Sequence, residues 1–258
     1  MLALIAGQGA LPKLIAPKAK LIAALAGNPP DLRPDLTFRL EHLGTFLKTL
    51  ADKGATEVCF AGAVRRPAFD PSQIDSATLP LVAQLQATFA QGDDAALKTV
   101  LHIFETAGFT IRAPHELAPE LLPTAGVLTK AQPDEIAVAN AGRAARVLAA
   151  LGPADVGQGC AVHKGQIIAV EAAFGTEWML ASLASRPDGK GGLFYKAPKP
   201  QQDRRVDMPT IGPDTITAVA NAGLQGITIE AGGVIVLDRA ETITRANHHG
   251  LFLWVKDP

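Results

Sequence analysis

A chain of 258 residues lies near the length at which one hydrophobic core gives way to two. Hydrophobic residues make up 48% and charged ones 19%, so burying a large core is no difficulty; a net charge of −1 gives the whole molecule no bias toward nucleic acid. Aromatic residues are scarce at 5%, which favours closely packed helices against a sheet. No run of about 18 apolar residues is available to span a bilayer, and the first residues lack the basic stretch of a signal peptide. A cytoplasmic protein is expected. Cys59 and Cys160 each sit in an apolar, strand-like stretch, which suits buried reduced thiols better than a disulfide or a metal pair.

Leu2 to Ala6 reads as a buried strand, followed by a turn at Gly7-Gln8-Gly9 and a helix from Pro12 onward, with proline in its tolerated first-turn place. The glycines permit a sharp turn that brings backbone amides at Gly9, Ala10 and Leu11 toward an anion. A dinucleotide fingerprint asks for more: a third glycine where Pro12 stands, and an acid about 20 residues on to hold the ribose. The second strand, Leu21 to Ala26, runs into Gly27-Asn28-Pro29-Pro30, and the first acid, Asp31, lies beyond both prolines. NAD is therefore not expected, and the turn either meets an anion or sugar or is a tight connection that binds nothing. Leu40 to Lys53 places Leu40, Leu43, Phe46, Leu47 and Leu50 on one helical face. It leads into a strand from Thr56 to Ala61 and a second glycine turn, Gly62-Ala63-Val64-Arg65-Arg66-Pro67. Open parallel sheets take ligands at the carboxyl ends of their strands, so both turns belong on one edge. Gln91-Gly92-Asp93-Asp94 precedes a helix carrying Ala95, Leu97, Val100, Leu101 and Phe104, and Gly108 to Ile111 fits a short last strand.

Pro114 to Pro133 is rich in proline and leucine without a clear period. Pro133-Asp134 opens a helix running to about Leu151, with Ile136, Val138, Ala141, Ala145 and Leu148 as its apolar positions and Gly152-Pro153 as its stop. Beyond it, Gly159 to Lys164, Ile167 to Ala172, Ile227 to Ile229 and Val234 to Leu237 read as strands flanked by turn glycines. The fold expected is α/β with two domains. An N-terminal Rossmann-like parallel sheet covers residues 1–117, a linker 118–133, and a mixed α/β domain carrying the chemistry 134–258.

Charge is concentrated in Ser185 to Arg205, where six basic and two acidic residues give +4. Lys196-Ala-Pro-Lys199-Pro sets two lysines on a proline-stiffened segment, and Arg204-Arg205-Val-Asp207-Met-Pro-Thr210-Ile-Gly212 follows. An aspartate among cations and a threonine hydroxyl supplies the parts for metal-assisted phosphoryl chemistry: the carboxylate holds Mg²⁺, and the cations offset phosphate charge. A solvated basic loop with one surface carboxylate is the alternative. Glu171 and Glu177 stand six residues apart. Between them Gly175 and Thr176 suit a phosphate or sugar contact, or Thr176 simply caps a helix from Glu177. Asn247-His248-His249 suggests a metal site, but adjacent histidines on a strand point apart, which favours a surface loop.

Ile5-Ala-Gly-Gln-Gly-Ala-Leu-Pro12, Gly92-Asp-Asp94, Asp155-Val-Gly-Gln-Gly159, Val170-Glu-Ala172, Gly175-Thr176, Lys196-Ala-Pro-Lys-Pro200 and Arg205-Val-Asp-Met-Pro-Thr-Ile-Gly-Pro213 together carry a resemblance over almost the whole chain. The sequence resembles the bacterial UDP-2,3-diacylglucosamine pyrophosphatases of the lipid A pathway, the kind unrelated to metallophosphoesterases. The resemblance implies two domains, Mg²⁺ dependence, a homodimer, and cleavage of the lipid-linked nucleotide sugar to UMP and 2,3-diacylglucosamine 1-phosphate; with a lipid-linked substrate, transient contact with the inner-membrane surface is a further expectation. Asp207 matches the family's metal-associated aspartate. Lys196, Lys199 and Arg205 would stabilise phosphoryl charge, while Gly9, Ala10, Leu11, Gly62, Ala63, Asp93, Asp94, Thr176 and Thr210 would contact the substrate. Three positions depart: Ala63 stands where the family usually has Asn, and Phe174-Gly-Thr-Glu177 replaces Glu-Gly-Thr-Asp at its first and last residues. A non-catalytic nucleotide-sugar-binding protein is the alternative function.

Overall fold

The computed structural model describes residues 1–65, 69–89 and 93–258, and among these the side chains outside 86–95. Its contacts divide the chain into two compact units, Met1–Pro119 with Arg205–Asp207, and Glu120–Arg204 with Met208–Pro258.

In the first unit, β1 (Leu2–Ala6), β2 (Leu21–Leu25), β3 (Leu36–Phe38), β4 (Glu57–Ala61) and β5 (Thr110–Ile111) form an all-parallel sheet in the order β3-β2-β1-β4-β5. That is the Rossmann order, with its reversal between β1 and β4. The helices are α1 (Leu11–Ile15), α2 (Leu43–Asp52), α3 (Val82–Phe89), α4 (Asp93–Thr106) and α5 (Pro114–Leu117). α2 buries Leu43, Phe46, Leu47 and Leu50, as its period requires, and Phe46 stacks on Phe38 with ring centroids 3.9 Å apart. Leu101, Ile103 and Phe104 of α4 join the same core with Ala3, Ile5 and Val58. The short β3 and α3 have no counterpart in the pattern, since β3 is a half-buried edge strand of three residues behind a run of prolines.

One buried carboxylate fastens the loop after β4. Glu41 is 2% exposed and accepts from two Arg39 nitrogens, Nε at 3.2 Å and Nη2 at 3.3 Å, and from the Asp70 N–H at 2.9 Å. Chiefly the Arg39 hydrogen bond, helped by the Asp70 amide and opposed by burial, pulls its carboxyl down to about 2.

In the second unit, a six-stranded mixed sheet runs in the order β6-β13-β11-β9-β7-β8, from β6 (Gly126–Val127), β7 (Gly159–His163), β8 (Gln166–Val170), β9 (Leu193–Lys196), β11 (Gly226–Glu230) and β13 (Phe252–Lys256). Beside it, β10 (Thr210–Ile211) and β12 (Ile235–Val236) pair in parallel. α6 (Glu135–Leu151) packs with Cys160, Val162, Leu193 and Tyr195 on one face. α7 (Gly175–Ser182), α8 (Pro213–Asn221) and α9 (Arg239–His248) contribute to a core with Ala161, Phe194, Ile227, Ile229 and Leu253 on the other. The two-residue alternation of β9 therefore turns Leu193 and Tyr195 toward α6, and Phe194 and Lys196 toward the opposite face. Both cysteines are free and buried, and burial pushes each thiol up to about 12.

Three local expectations are corrected. The 118–133 stretch is no bare linker: β6 pairs antiparallel with β13, and the Thr129 hydroxyl accepts from the Leu253 N–H at 2.9 Å. Proline-rich flanks conceal so short an edge strand. On α6, Ile136 and Val138 are 63% and 48% exposed, because the buried stripe is Ala137, Ala141, Ala144 and Leu148, whose spacing of four, three and four fits the sheet closely. His248 ends α9 and His249 is its C-cap, so the pair closes a helix where a surface loop was expected. Among the described residues no helix is long and apolar enough to cross a membrane.

Candidate active site

At the carboxyl edge of the first sheet, β1 and β4 run directly into the two glycine turns. Gly7 N–H donates to Ala61 O at 2.8 Å, and Gln8 and Ala63 exchange backbone hydrogen bonds of 2.8 and 2.9 Å. A Cβ on Gly7 would fall 2.5 Å from the Ala63 carbonyl oxygen, and one on Gly62 2.6 Å from that of Gln8. The turns share the edge as expected, and these glycines serve their backbone-to-backbone contact. Asn28 completes it: 2% exposed, it donates to Ala63 O and accepts from Arg65 N–H, each at 3.2 Å. Gly9 (φ +97°) and Ala10 are exposed, and Leu11 opens α1, a helix of only five residues. Asp31, exposed and 3.8 Å from Lys13, holds no ribose-binding place at the end of β2. Asp93 and Asp94 open α4, but their side chains lie outside the described residues, as does Gly92.

The second unit gathers chemistry at one end of its sheet. β9 ends in Lys196, β8 is followed at once by Glu171, and register pairs Gly159 with Lys196 across β7 and β9. Lys196 Nζ donates to Glu171 Oε2 at 3.2 Å and to Thr176 Oγ1 at 2.5 Å, and Thr176 Oγ1 donates to the same Glu171 oxygen at 2.9 Å. The two charged side chains are only 5% and 12% exposed. Thr176 thus does not cap a helix; α7 starts one residue earlier, with Phe174 at its N-cap, and the hydroxyl turns inward instead. Phe174 and Glu177 are exposed.

The segment Asp155–Gly159 closes over this cluster. Gly157 leaves so little room that a Cβ would meet the Glu171 carbonyl, and a Cβ on Gly159 would sit 2.8 Å from Glu171 Oε2. Gly159 O accepts from Glu171 N–H at 2.8 Å, and Gln158 O from Ala197 N–H at 3.0 Å. At the other end of the segment Asp155, in the left-handed region (φ 55°), pairs with Lys199. Lys199 N–H donates to Gln202 Oε1 at 2.9 Å, which pins the loop after β9.

The remaining residues expected from the sequence have settings of their own. Arg205 donates to Glu105 at 2.6 Å within the first unit, to which Asp207, half-buried, also belongs. Thr210 in β10 donates to Met208 O at 3.2 Å. Asn247 accepts from Lys130 N–H at 2.7 Å, a structural tie of the α9 terminus. Among the described residues no three His, Cys, Asp or Glu side chains gather as a metal cage. Mg²⁺ needs none, since one or two carboxylates with waters and substrate phosphate oxygens suffice. The half-buried Asp207 carboxylate fits a cation held in that way.

A Rossmann-ordered parallel sheet followed by a mixed sheet with a buried lysine–carboxylate pair defines a two-unit α/β protein. Residues 1–121 match the LpxI N-terminal domain and residues 124–254 the LpxI C-terminal domain. The UDP-2,3-diacylglucosamine pyrophosphatase LpxI of Caulobacter vibrioides is 38% identical over 273 aligned residues, which cover 100% of this chain and 98% of that protein. The chain belongs to the LpxI family.

Proposed function

We propose that this chain is a UDP-2,3-diacylglucosamine pyrophosphatase, hydrolysing its substrate to UMP and 2,3-diacylglucosamine 1-phosphate in lipid A biosynthesis. What carries the reading is end-to-end identity of 38% to a protein named for that activity. The Lys196–Thr176–Glu171 cluster supports it, because a buried, oriented ammonium suits a pyrophosphate far better than a neutral sugar. Lys196 and Lys199 would meet the phosphate oxygens, and Arg205 would add a planar donor fork. Asp207 would hold Mg²⁺, which when bound neutralises developing phosphate charge. Thr176, Thr210, the Gly9–Ala10–Leu11 turn, Gly62, Ala63, Asp93 and Asp94 would contact nucleotide or sugar. A homodimer working in the cytoplasm, in transient contact with the inner-membrane surface, completes the proposal.

The test is release of UMP from UDP-2,3-diacylglucosamine, with and without a chelator. Turnover that stops on chelation and returns with Mg²⁺ is expected. Tight binding of the nucleotide sugar without UMP release would instead support a non-catalytic binding protein.

A further inference from the structure

We propose that Glu171 is a positioning residue of this site: it holds the Lys196 ammonium, with Thr176, so that a single N–H remains for an incoming phosphate oxygen. The proposal rests on the reading of Lys196 as a phosphate ligand. An ammonium has three N–H donors on a freely rotating carbon. Here one goes to Glu171 Oε2 (3.2 Å) and one to Thr176 Oγ1 (2.5 Å). Thr176 spends its own proton on Glu171 Oε2 at 2.9 Å, so its hydroxyl presents a lone pair to Lys196 and cannot turn away without losing a bond. The three groups close a triangle, and a triangle fixes direction where a single ion pair would not.

The backbone is shaped around the carboxylate. Glu171 follows β8 directly, and its N–H is held by Gly159 O at 2.8 Å. Gly157 and Gly159 approach it so closely that a methyl group at either position would collide with Glu171 atoms. Only glycines allow the Asp155–Gly159 segment to lie this near, and the result keeps Glu171 at 9% exposure. A carboxylate needed merely to balance charge could remain at the surface, as Asp155 does beside Lys199 with 39% of its side chain exposed. The Phe194 ring, 5.9 Å from Lys196 Nζ, walls the ammonium on another side. In the sequence Glu171 is one of two acids six residues apart, at the end of a strand and within one of the motifs that carry the resemblance, and nothing there gives it a distinct role.

The closing experiment uses Glu171→Gln and Glu171→Asp in the full chain, with Lys196→Gln and the Glu171→Gln/Lys196→Gln double variant. Glu171→Gln keeps the size and an acceptor oxygen but removes the charge that orders the ammonium. Its kcat should fall about 10- to 100-fold with KM changed little, and Glu171→Asp should recover part of the loss. In the Lys196→Gln background the same change should cost nothing further, because Glu171 acts only through Lys196. A purely structural Glu171 would lower the melting temperature and add its effect in both backgrounds, which would overturn the proposal. The ¹⁵Nζ resonance of Lys196 gives a readout that needs no substrate. It should be slowly exchanging and resolved in the wild type and lost in Glu171→Gln; a fast-exchanging wild-type signal would overturn the proposal directly. A wild-type protein that releases no UMP would sink the substrate reading alone, and the Nζ spectrum would still decide what Glu171 does.

Discussion

Lys196 and Lys199 stand three residues apart and meet different environments. Lys196 is the last residue of a central strand, 4% exposed, and Glu171 and Thr176 take the place of the water lost there. Lys199 lies in the loop beyond, paired with the more exposed Asp155. The first pair belongs to a rigid frame, while the second can exchange its carboxylate for a phosphate at small cost. Asp207 carries a sharper expectation. Asp207→Asn keeps the shape and removes the charge a hard cation requires, so kcat should fall about 100-fold or more while the nucleotide sugar still binds. Calorimetric binding beside UMP release checks both halves, and near-normal turnover would remove Asp207 from the mechanism. Lys196, Lys199 and Thr176 were legible in the sequence because charge concentration and a glycine-flanked threonine mark them. Glu171, Asp155 and Asn28 were not, since each takes its role from a partner 25, 44 or 35 residues away that only the fold supplies.

Elements with a strong period were legible in the same way. The α2 stripe and the runs of β1 and β4 appear where hydrophobic spacing places them, because each buries a continuous face. β6, β10 and β3 are two or three residues long and exist only because a neighbour pairs with them. β9 is hidden differently: it ends in a lysine and lies inside the basic stretch Ser185 to Arg205. The 69–79 loop shows what such segments rely on instead of period. It hangs on the buried Glu41 carboxylate, whose folded value of about 2 lies below the ordinary 4.5. Stability from a depressed carboxyl is complete above its unfolded value and disappears as pH falls through the folded one. Glu41→Gln should therefore cost about 1–3 kcal/mol at pH 7. The gap in unfolding free energy between variant and wild type should close between about pH 4.5 and pH 2. Denaturant titrations across that range measure it, and a pH-independent gap would mean the loss is one of packing.

At the scale of the whole molecule, a Rossmann-ordered sheet invites a dinucleotide, and the chain's own detail argues against it. The reversal between β1 and β4 is occupied by two turns bonded to each other, and no acid ends β2. NADH and NADPH should not bind below millimolar concentration; a saturable micromolar fluorescence titration would show this to be wrong. Which bond breaks is the remaining question for the molecule as a catalyst. UMP and 2,3-diacylglucosamine 1-phosphate form whichever phosphorus water attacks, so product identity cannot answer it. The two lysines lie along one short segment, Lys196 fixed by the Glu171–Thr176 triangle and Lys199 beside it on the loop. A fixed cation best offsets charge that appears on a departing group, because it needs no reorganisation as the bond breaks. The family resemblance implies departure of the nucleotide phosphate, with water entering at the sugar-linked phosphorus, and the lysines would serve it in that way. Hydrolysis in ¹⁸O-labelled water should then place the label in 2,3-diacylglucosamine 1-phosphate and leave UMP unlabelled by mass spectrometry. Label in UMP would mean attack at the nucleotide-linked phosphorus, and Lys196 and Lys199 would then stabilise the departing sugar phosphate instead.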